Sequence, residues 1–381
     1  MPPMTATVFS WEIDMPKLHD FYDFGNIRFS FAVNGMGTSG VSSVQLEFNV
    51  YDEYGWLTDD VLEQSETTIS CAEINFVSQT FFLTKRSASK KVLHCVCYDR
   101  MCKTDRLFDA SEYTDETVSG QSVLSAICRQ CEFNDYSASG DGLEYISFKK
   151  SDLENVTCRR LLEDISEVVV GVFVCGNNNN LFLACLGGGE YGSQAAALDY
   201  TELDYQGSTV ITALTMINSD TGKEYSFGGS GGAALEIESS LVTEGLAMAV
   251  WERIGNYIYK SWHCDMADVT YGSYLHLMGA LIFTRDDIAE DSGSVLGRRL
   301  FATTTEFSCD STGVYFSGGA APYDDWNYQS YLERRKVGIG KNVGNTAIAT
   351  NGDIIFRNLN KGGGLNEHDN GISICVRNRN Q

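Results

Sequence analysis

Thr157-Cys158-Arg159-Arg160-Leu161-Leu162-Glu163-Asp164-Ile165, continuing through Val168 and Val169 to Gly171, is the stretch that decides the fold class. Thr157 is a good N-cap, because its hydroxyl can accept from N–H groups that a first helical turn leaves unpaired. Leu161, Leu162, Ile165, Val168 and Val169 then share one face at helical spacing, and Gly171 reads as the stop. A hairpin follows at once. Val172 to Cys175 and Leu181 to Leu186 are apolar runs separated by a Gly-Asn turn at 176–180. Just upstream, Val123, Leu124, Ile127, Cys128 and Cys131 sit at offsets that suit one face of a helix over 119–131. Residues 109–189 therefore read as a small α+β domain, ended by Gly187-Gly188-Gly189.

On both sides the chain is strand-rich. Ser43-Val44-Gln45-Leu46-Glu47-Phe48-Asn49-Val50 alternates for eight residues, with Val44, Leu46, Phe48 and Val50 on one face, as a half-buried strand does. Further strands are expected over 28–33, 75–84 and 91–98, and a polar acidic loop over 57–67. Beyond the triple glycine, strands are expected over 198–215, 223–227, 235–237, 259–265 and 274–284. A helix from Thr243 should bury Leu246, Val250, Ile254 and Tyr257. Weaker strand signals lie over 301–307 and 313–317, and the Gly- and Asn-rich tail from Gly338 shows no pattern. No repeat of 20–50 residues is present, which argues against a solenoid or propeller.

The chain has 381 residues, room for two or three domains, and its 43% hydrophobic content is that of a globular protein. Lys and Arg number 28 against 51 Asp and Glu, a net charge of −23. So acidic a surface repels phosphates and argues against specific nucleic-acid binding. No apolar run reaches membrane-spanning length, and Met1 to Asp14 shows no signal-peptide pattern. The twelve cysteines sit largely inside apolar segments and read as reduced core thiols. Proline occurs only at positions 2, 3, 16 and 322, against 37 glycines, so turns must rest on Gly, Asn, Asp and Ser.

Motifs that could carry chemistry fail on context. Gly228-Gly229-Ser230-Gly231-Gly232 matches G-x-S-x-G, but a strand and not a helix is expected after it, so it reads as a Gly-rich hairpin turn. Cys128 and Cys131 form a C-x-x-C without a second ligand pair and near a helix end, which favours packing over zinc or redox chemistry. His94 and Cys95 are strand neighbours and point to opposite faces. Gly338 to Asn342 lacks the leading glycine and the Ser or Thr of a P-loop. Arg334-Arg335-Lys336 reads as a solvated face or a subunit contact. Tyr257, Tyr259, Trp262, Tyr271 and Tyr274 crowd one region, mainly as core. No catalytic, cofactor-binding or metal-ligating residue is nominated.

Phe81-Phe82-Leu83-Thr84-Lys85-Arg86, then Leu93 to Met101 ending in Cys97-Tyr98-Asp99-Arg100-Met101, then Asp105-Arg106-Leu107-Phe108, resemble a passage of phage tail hub proteins. The helix after Thr117, the Thr157 to Ile165 stretch and its hairpin follow in the order those hubs show. So do Tyr200-Thr201-Glu202-Leu203-Asp204-Tyr205, Gly222 to Gly228 and Ser239 to Glu244. The resemblance covers roughly 26–284.

It implies an α+β, β-rich chain with two tube-like antiparallel β-barrel domains flanking a small α+β domain, plus a C-terminal extension. The implied boundaries are 1–108 (first tube-like β domain with an N-terminal arm), 109–189 (small α+β domain), 190–285 (second tube-like β domain) and 286–381 (extension). The implied function is a structural, non-enzymatic baseplate hub of a phage tail or phage-derived contractile injection system. It would form a homotrimer adapting a sixfold tail tube to a threefold spike, and let DNA or tape-measure protein pass. Its partners would be the tube protein, the spike, other tail-tip proteins and the tape-measure protein. Its place would be the virion tail, assembled in the host cytoplasm. The alternatives are a tail-tip cell-wall hydrolase using carboxylates of the C-terminal third, and a receptor- or glycan-binding tail module using surface aromatics.

Overall fold

A computed structural model describes residues 10–12, 24–32, 40–43, 45–51, 67–70, 80–89, 92–137, 142–187, 202–267, 280–282, 299–301, 304–310, 313–320, 356–358 and 373–375. The chain forms two compact units, Met1–Asn327 and Tyr328–Gln381. The loop expected over 57–67 lies, but for its last residue, outside the described residues. So do the triple glycine beyond Gly187, Tyr271, Tyr274 and the basic run at Arg334.

In the first unit the strands begin with β1 (Ser10–Glu12), β2 (Phe24–Ala32), β3 (Gly40–Ser42), β4 (Gln45–Tyr51), β5 (Thr67–Ser70), β6 (Thr80–Ser89) and β7 (Val92–Tyr98). A 3-10 turn at Arg100–Asp105 leads to β8 (Thr117–Ser119), helix α1 (Gly120–Gln130), β9 (Tyr136–Ser137), β10 (Ser147–Lys149) and helix α2 (Cys158–Val168). The hairpin β11 (Gly171–Cys175) and β12 (Leu181–Cys185) follows. Then come β13 (Glu202–Ile217), β14 (Glu224–Gly228), β15 (Ala233–Glu238), helix α3 (Glu244–Ile254), β16 (Ile258–Ala267), β17 (Ala280–Ile282), β18 (Arg299–Phe301), β19 (Thr304–Asp310) and β20 (Gly313–Ala320). In the second unit β21 (Phe356–Asn358) pairs antiparallel with β22 (Ser373–Cys375).

The main sheet runs β1-β5-β6-β7-β4-β2-β19-β20-β16-β13-β14, with β15 also on β13. The two strand-rich blocks are thus one sheet. Their link is the β19–β20 hairpin, from a part of the chain that sequence reading grouped with the C-terminal extension. β19 pairs with β2 through Phe307↔Phe29, and β20 pairs with β16 through Ser317↔Asp265. The expected pair of closed barrels is not found among the described residues, where no sheet closes on itself. What stands is a mixed, strand-rich α+β fold. Closure of each block would require contacts that no local alternation pattern encodes.

The helices form where the caps predict. Ser119 Oγ accepts from Ser122 N–H at 3.2 Å to start α1. Thr157 Oγ1 accepts from Arg160 N–H at 3.2 Å to start α2, and Thr243 Oγ1 accepts from Leu246 N–H at 3.2 Å to start α3. Each such cap contributes about 1 kcal/mol. Leu161, Leu162, Ile165 and Val168 of α2 and Val123, Leu124 and Ile127 of α1 are buried. They cover the sheet β3-β11-β12-β9, whose edge strand β3 runs parallel to β11 with Val41 opposite Phe173. A second core lies under α3, where Leu246, Ala247, Val250 and Ile254 are buried along with Ile211, Leu214, Met216, Leu235, Ile237, Tyr259 and Trp262. Tyr257, expected in that helical stripe, lies beyond the helix and is only half-buried.

Two turns differ from the expectation. Gly171 does not stop α2. Val169 caps it and Val170 takes the left-handed conformation at φ +51, which for a β-branched residue costs of order 1–3 kcal/mol. Gly171 instead opens β11, where a Cβ would meet Ala184 O at 2.8 Å and Cys185 Sγ at 2.9 Å. The G-x-S-x-G segment is not a hairpin turn either. β14 runs antiparallel to β13 and β15 parallel to it along the same residues, so the two flank β13 on opposite edges. The glycines carry the chain across β13. Gly228 has φ +77, and a Cβ there would lie 2.0 Å from Thr212 O.

Candidate functional site

Two of the segments that carry the resemblance, the turn after Tyr98 and the start of α2, meet in space. Asp99, fully buried, caps the 3-10 turn by accepting from Met101 N–H at 3.1 Å. Met101 and Thr104 are buried behind it, Thr104 Oγ1 donating to Met101 O at 2.6 Å. From α2, Arg159 reaches back to this turn. Its Nη2 donates to Met101 O at 2.9 Å, its Nη1 to Val41 O at 3.4 Å, and its Nε pairs with Asp105. Phe108 N–H donates to Val156 O at 2.8 Å, Cys158 N–H to Arg106 O at 3.0 Å, and Leu107 bridges Thr157. The first strand block is therefore tied to the α+β module through the 100–108 turn, α2 and the edge strand β3.

Around this junction Phe82 of β6 is contacted by two cations, Arg100 at 5.5 Å and Lys103 at 4.4 Å from the ring centroid. Such contacts contribute roughly 0.5–1 kcal/mol each at exposed sites. Arg100 also donates to Glu132 O at 2.7 Å. Asn179, left-handed at φ +56 in the β11–β12 turn, accepts from Thr80 N–H at 2.8 Å and donates to Thr80 Oγ1 at 3.1 Å. On the far side Arg253 of α3 donates to the carbonyls of Leu186, at 2.9 Å, and Val169. That ties the second strand block to the same module.

The singled-out residues fall as follows. Cys95 is fully buried while His94 lies half-exposed on the opposite face, 3.1 Å from Glu47. His263, also exposed, pairs with Asp265 at 3.2 Å. Tyr259 and Trp262 are core. Cys95, Cys97, Cys102, Cys128, Cys131, Cys158, Cys175 and Cys185 are in no disulfide, and all are buried except the half-buried Cys102. Burial, and then the Asp99 carboxylate, pushes the Cys102 thiol up to about 11; burial, then Asp135, pushes Cys128 up to about 12. Cys131 does not pair with Cys128. Cys131 Sγ donates to Lys103 O at 3.6 Å, and Cys158 Sγ donates to Gln130 Oε1 at 3.9 Å.

These groups cap, pin and pack; the arrangement suits a rigid scaffold. Large apolar side chains left in solvent include Leu107 at 64% exposure, Met248 at 48%, Tyr145 at 44%, and Ile258 at 51% opposite Val210 at 37%. Local reading missed Arg253 and Asn179, because each bonds residues 67 or more positions away. No helix among the described residues is long and apolar enough to cross a membrane.

No family model and no curated protein matches the sequence. Solved structures do. The 43 kDa tail protein of prophage MuSo2 from Shewanella oneidensis shares 12% identity over 80% of this chain and 95% of its own, with a TM-score of 0.45. A prophage tail protein of Listeria monocytogenes EGD-e shares 11% over 82% and 94%, TM-score 0.46. An Escherichia coli type VI secretion component, described as structurally similar to the phage T4 tail proteins gp27 and gp5, shares 13% over 79% and 74%, TM-score 0.42. The structural neighbours are phage-tail and type VI secretion proteins.

Proposed function

We propose that this chain is a structural hub of a phage-type tail tip or a related injection machine. In this reading three copies close a ring, the two strand-rich blocks of each copy supply six tube-like units, and the ring joins a sixfold tube to a threefold spike while DNA or tape-measure protein passes through. The four divisions at 1–108, 109–189, 190–285 and 286–381 would be its working parts. No residue is assigned a catalytic, cofactor or metal role.

The observation that carries the reading is what the hub-like motif residues do. Asp99, Met101, Asp105, Phe108, Thr157 and Arg159 converge on one junction and serve as caps, pins and core. A junction that fixes strand blocks to a central module is what a ring subunit requires of each copy. The main sheet also ends in short strands, β1 of three residues and β14 of five. Short edges limit uncontrolled pairing and leave association to specific faces. An acidic balance of −23 suits a channel that a polyanion crosses without sticking.

Native mass spectrometry at micromolar concentration tests the reading, with particles of three chains expected and end-on electron micrographs showing a ring. A monomer at every concentration up to 100 µM, or cell-wall hydrolysis by the purified chain, overturns it.

A further inference from the structure

We propose that neighbouring copies of this chain join edge to edge, the uncovered half of β6 in one copy pairing antiparallel with the uncovered half of β13 in the next; this rests on the ring proposed above and names its interface. Both ends of the main sheet are stepped. β5 covers β6 only from Thr80 to Leu83, so among the described residues no strand lies on the outer edge of β6 from Thr84 to Ser89. β16 covers one edge of β13 from Glu202 to Val210, and β14 begins on the other edge only at Ala213. Neighbouring residues show the two edges: Ile211 bonds Tyr257 and Asn256 on the β16 side, whereas Thr212 O accepts from Gly229 N–H at 2.9 Å on the β14 side. Below that point the second edge of β13 carries no strand among the described residues. An unpaired strand edge is a template for another chain.

Direction and stagger fit this join. Between its two stepped ends the sheet runs β6-β7-β4-β2-β19-β20-β16-β13, with every neighbour antiparallel. β13 therefore runs opposite to β6, and a rotation that sets copies side by side about a ring axis keeps both directions. β6 of the next copy then meets β13 antiparallel and continues the alternation. One row of directly facing residues crosses all eight strands, from Phe82 of β6 through Gln45, Ser30 and Asp265 to Glu202 of β13. The uncovered half of β6 lies on one side of this row and that of β13 on the other. Bringing them together shifts the next copy along the strands by about eight residues, about one per strand, the stagger that accompanies strands tilted by about 36° in a closed barrel.

The two half-edges also carry opposite charge. Thr84 to Lys91 holds Lys85, Arg86, Lys90 and Lys91 and no acid, in a chain of net charge −23. Asp199 to Val210 holds Asp199, Glu202 and Asp204 and no cation. Asp204 is exposed, and its carboxylate accepts from Gln206 Nε2 at 3.2 Å. Two like half-edges would repel, which disfavours a two-fold joint, whereas unlike ones attract and fix the register. A joint between unlike surfaces closes into a ring when its rotation divides the circle.

The test mixes unlabelled and nitrogen-15-labelled full-length chain, lets the mixture assemble, and treats it with a carbodiimide, which joins lysine amines to carboxylates without a spacer. Mass spectrometry should find Lys85 linked to Glu202 or Asp204 in peptides that combine the two labels. K85E/R86E should need about tenfold more protein to associate, the effect of losing a few exposed charge pairs. K85E/R86E/E202K/D204K, which exchanges the charges, should associate at the wild-type concentration. Unchanged association of K85E/R86E, no recovery in the exchanged variant, or trimers whose mixed-label crosslinks omit this pair each overturns the edge pairing and leaves the hub reading standing. A chain that stays monomeric overturns both. Should the variants fail to fold, the wild-type crosslink map decides alone.

Discussion

The Arg253 guanidinium donates from Nε to the Leu186 carbonyl at 2.9 Å, and the same side chain reaches Val169 O at the end of α2. One cation thus serves the C-cap carbonyl of α2, 84 residues earlier, where positive charge is favourable, and the carbonyl that follows β12, 67 residues earlier.

Arg253→Ala should therefore cost about 2–3 kcal/mol, the range for hydrogen bonds to a charged group with buried acceptors left unpaired. Arg253→Lys should recover part of this, since an ammonium keeps the charge but not the fork. Urea denaturation followed by circular dichroism reads both. An unchanged midpoint in Arg253→Ala would show that the strap carries no load.

Arg159 and Asp105 form an ion pair, but the Asp105 side chain is 66% exposed and such pairs contribute little. Asp105→Asn should shift stability by less than about 1 kcal/mol. Arg159→Ala, which also abandons the Met101 carbonyl, should cost about 1–3 kcal/mol. Equal losses in the two variants, measured in the same urea titration, would contradict this ordering.

Within the G-x-S-x-G segment, two glycines should behave oppositely. Gly228→Ala must relieve a Cβ placed 2.0 Å from Thr212 O at φ +77 and should destabilise by several kcal/mol or prevent folding. Gly229→Ala meets nothing within 4 Å and should be nearly neutral. Thermal melts of both variants check the pair; a neutral Gly228→Ala would refute the tight crossing over β13.

Alkaline pH should destabilise the chain through its buried thiols. Cys102 and Cys128 titrate near 11 and 12 when folded, against about 8.5 unfolded. The folded state thus holds protons that the unfolded state has released. This contribution is whole below about pH 8.5 and is lost as pH climbs toward 11–12. Urea midpoints at pH 7.5, 9 and 10.5 should fall in that order, less steeply in Cys128→Ala.

Local elements were legible because local chemistry makes them. Ser119, Thr157 and Thr243 each cap the helix they precede, and Leu161, Ile165, Leu246 and Val250 bury the faces their spacing marks. Strand alternation around Leu46 likewise coincides with β4. Sheet order was not legible, because pairing partners such as Phe29 and Phe307 are chosen by packing across hundreds of residues. β3, only Gly40-Val41-Ser42, is too short for any period to mark. The C-x-x-C was read as packing, and Cys128 and Cys131 are both buried, because their spacing puts them on the apolar stripe of one helix. Gly171 looked like a helix stop because glycine is the cheapest left-handed residue, but buried packing puts Val170 in that role instead.

The central position of the β19–β20 hairpin has a consequence for synthesis. A ribosome delivers β2, β4 and β7 early and β13 and β16 later, yet the piece that unites them emerges after residue 304. Until then β2 and β16 each present an unsatisfied edge to the cell, a template for pairing with the wrong chain. Nascent molecules of this protein should lean on chaperones during that interval, and premature termination before Thr304 should yield aggregates rather than half-sized domains.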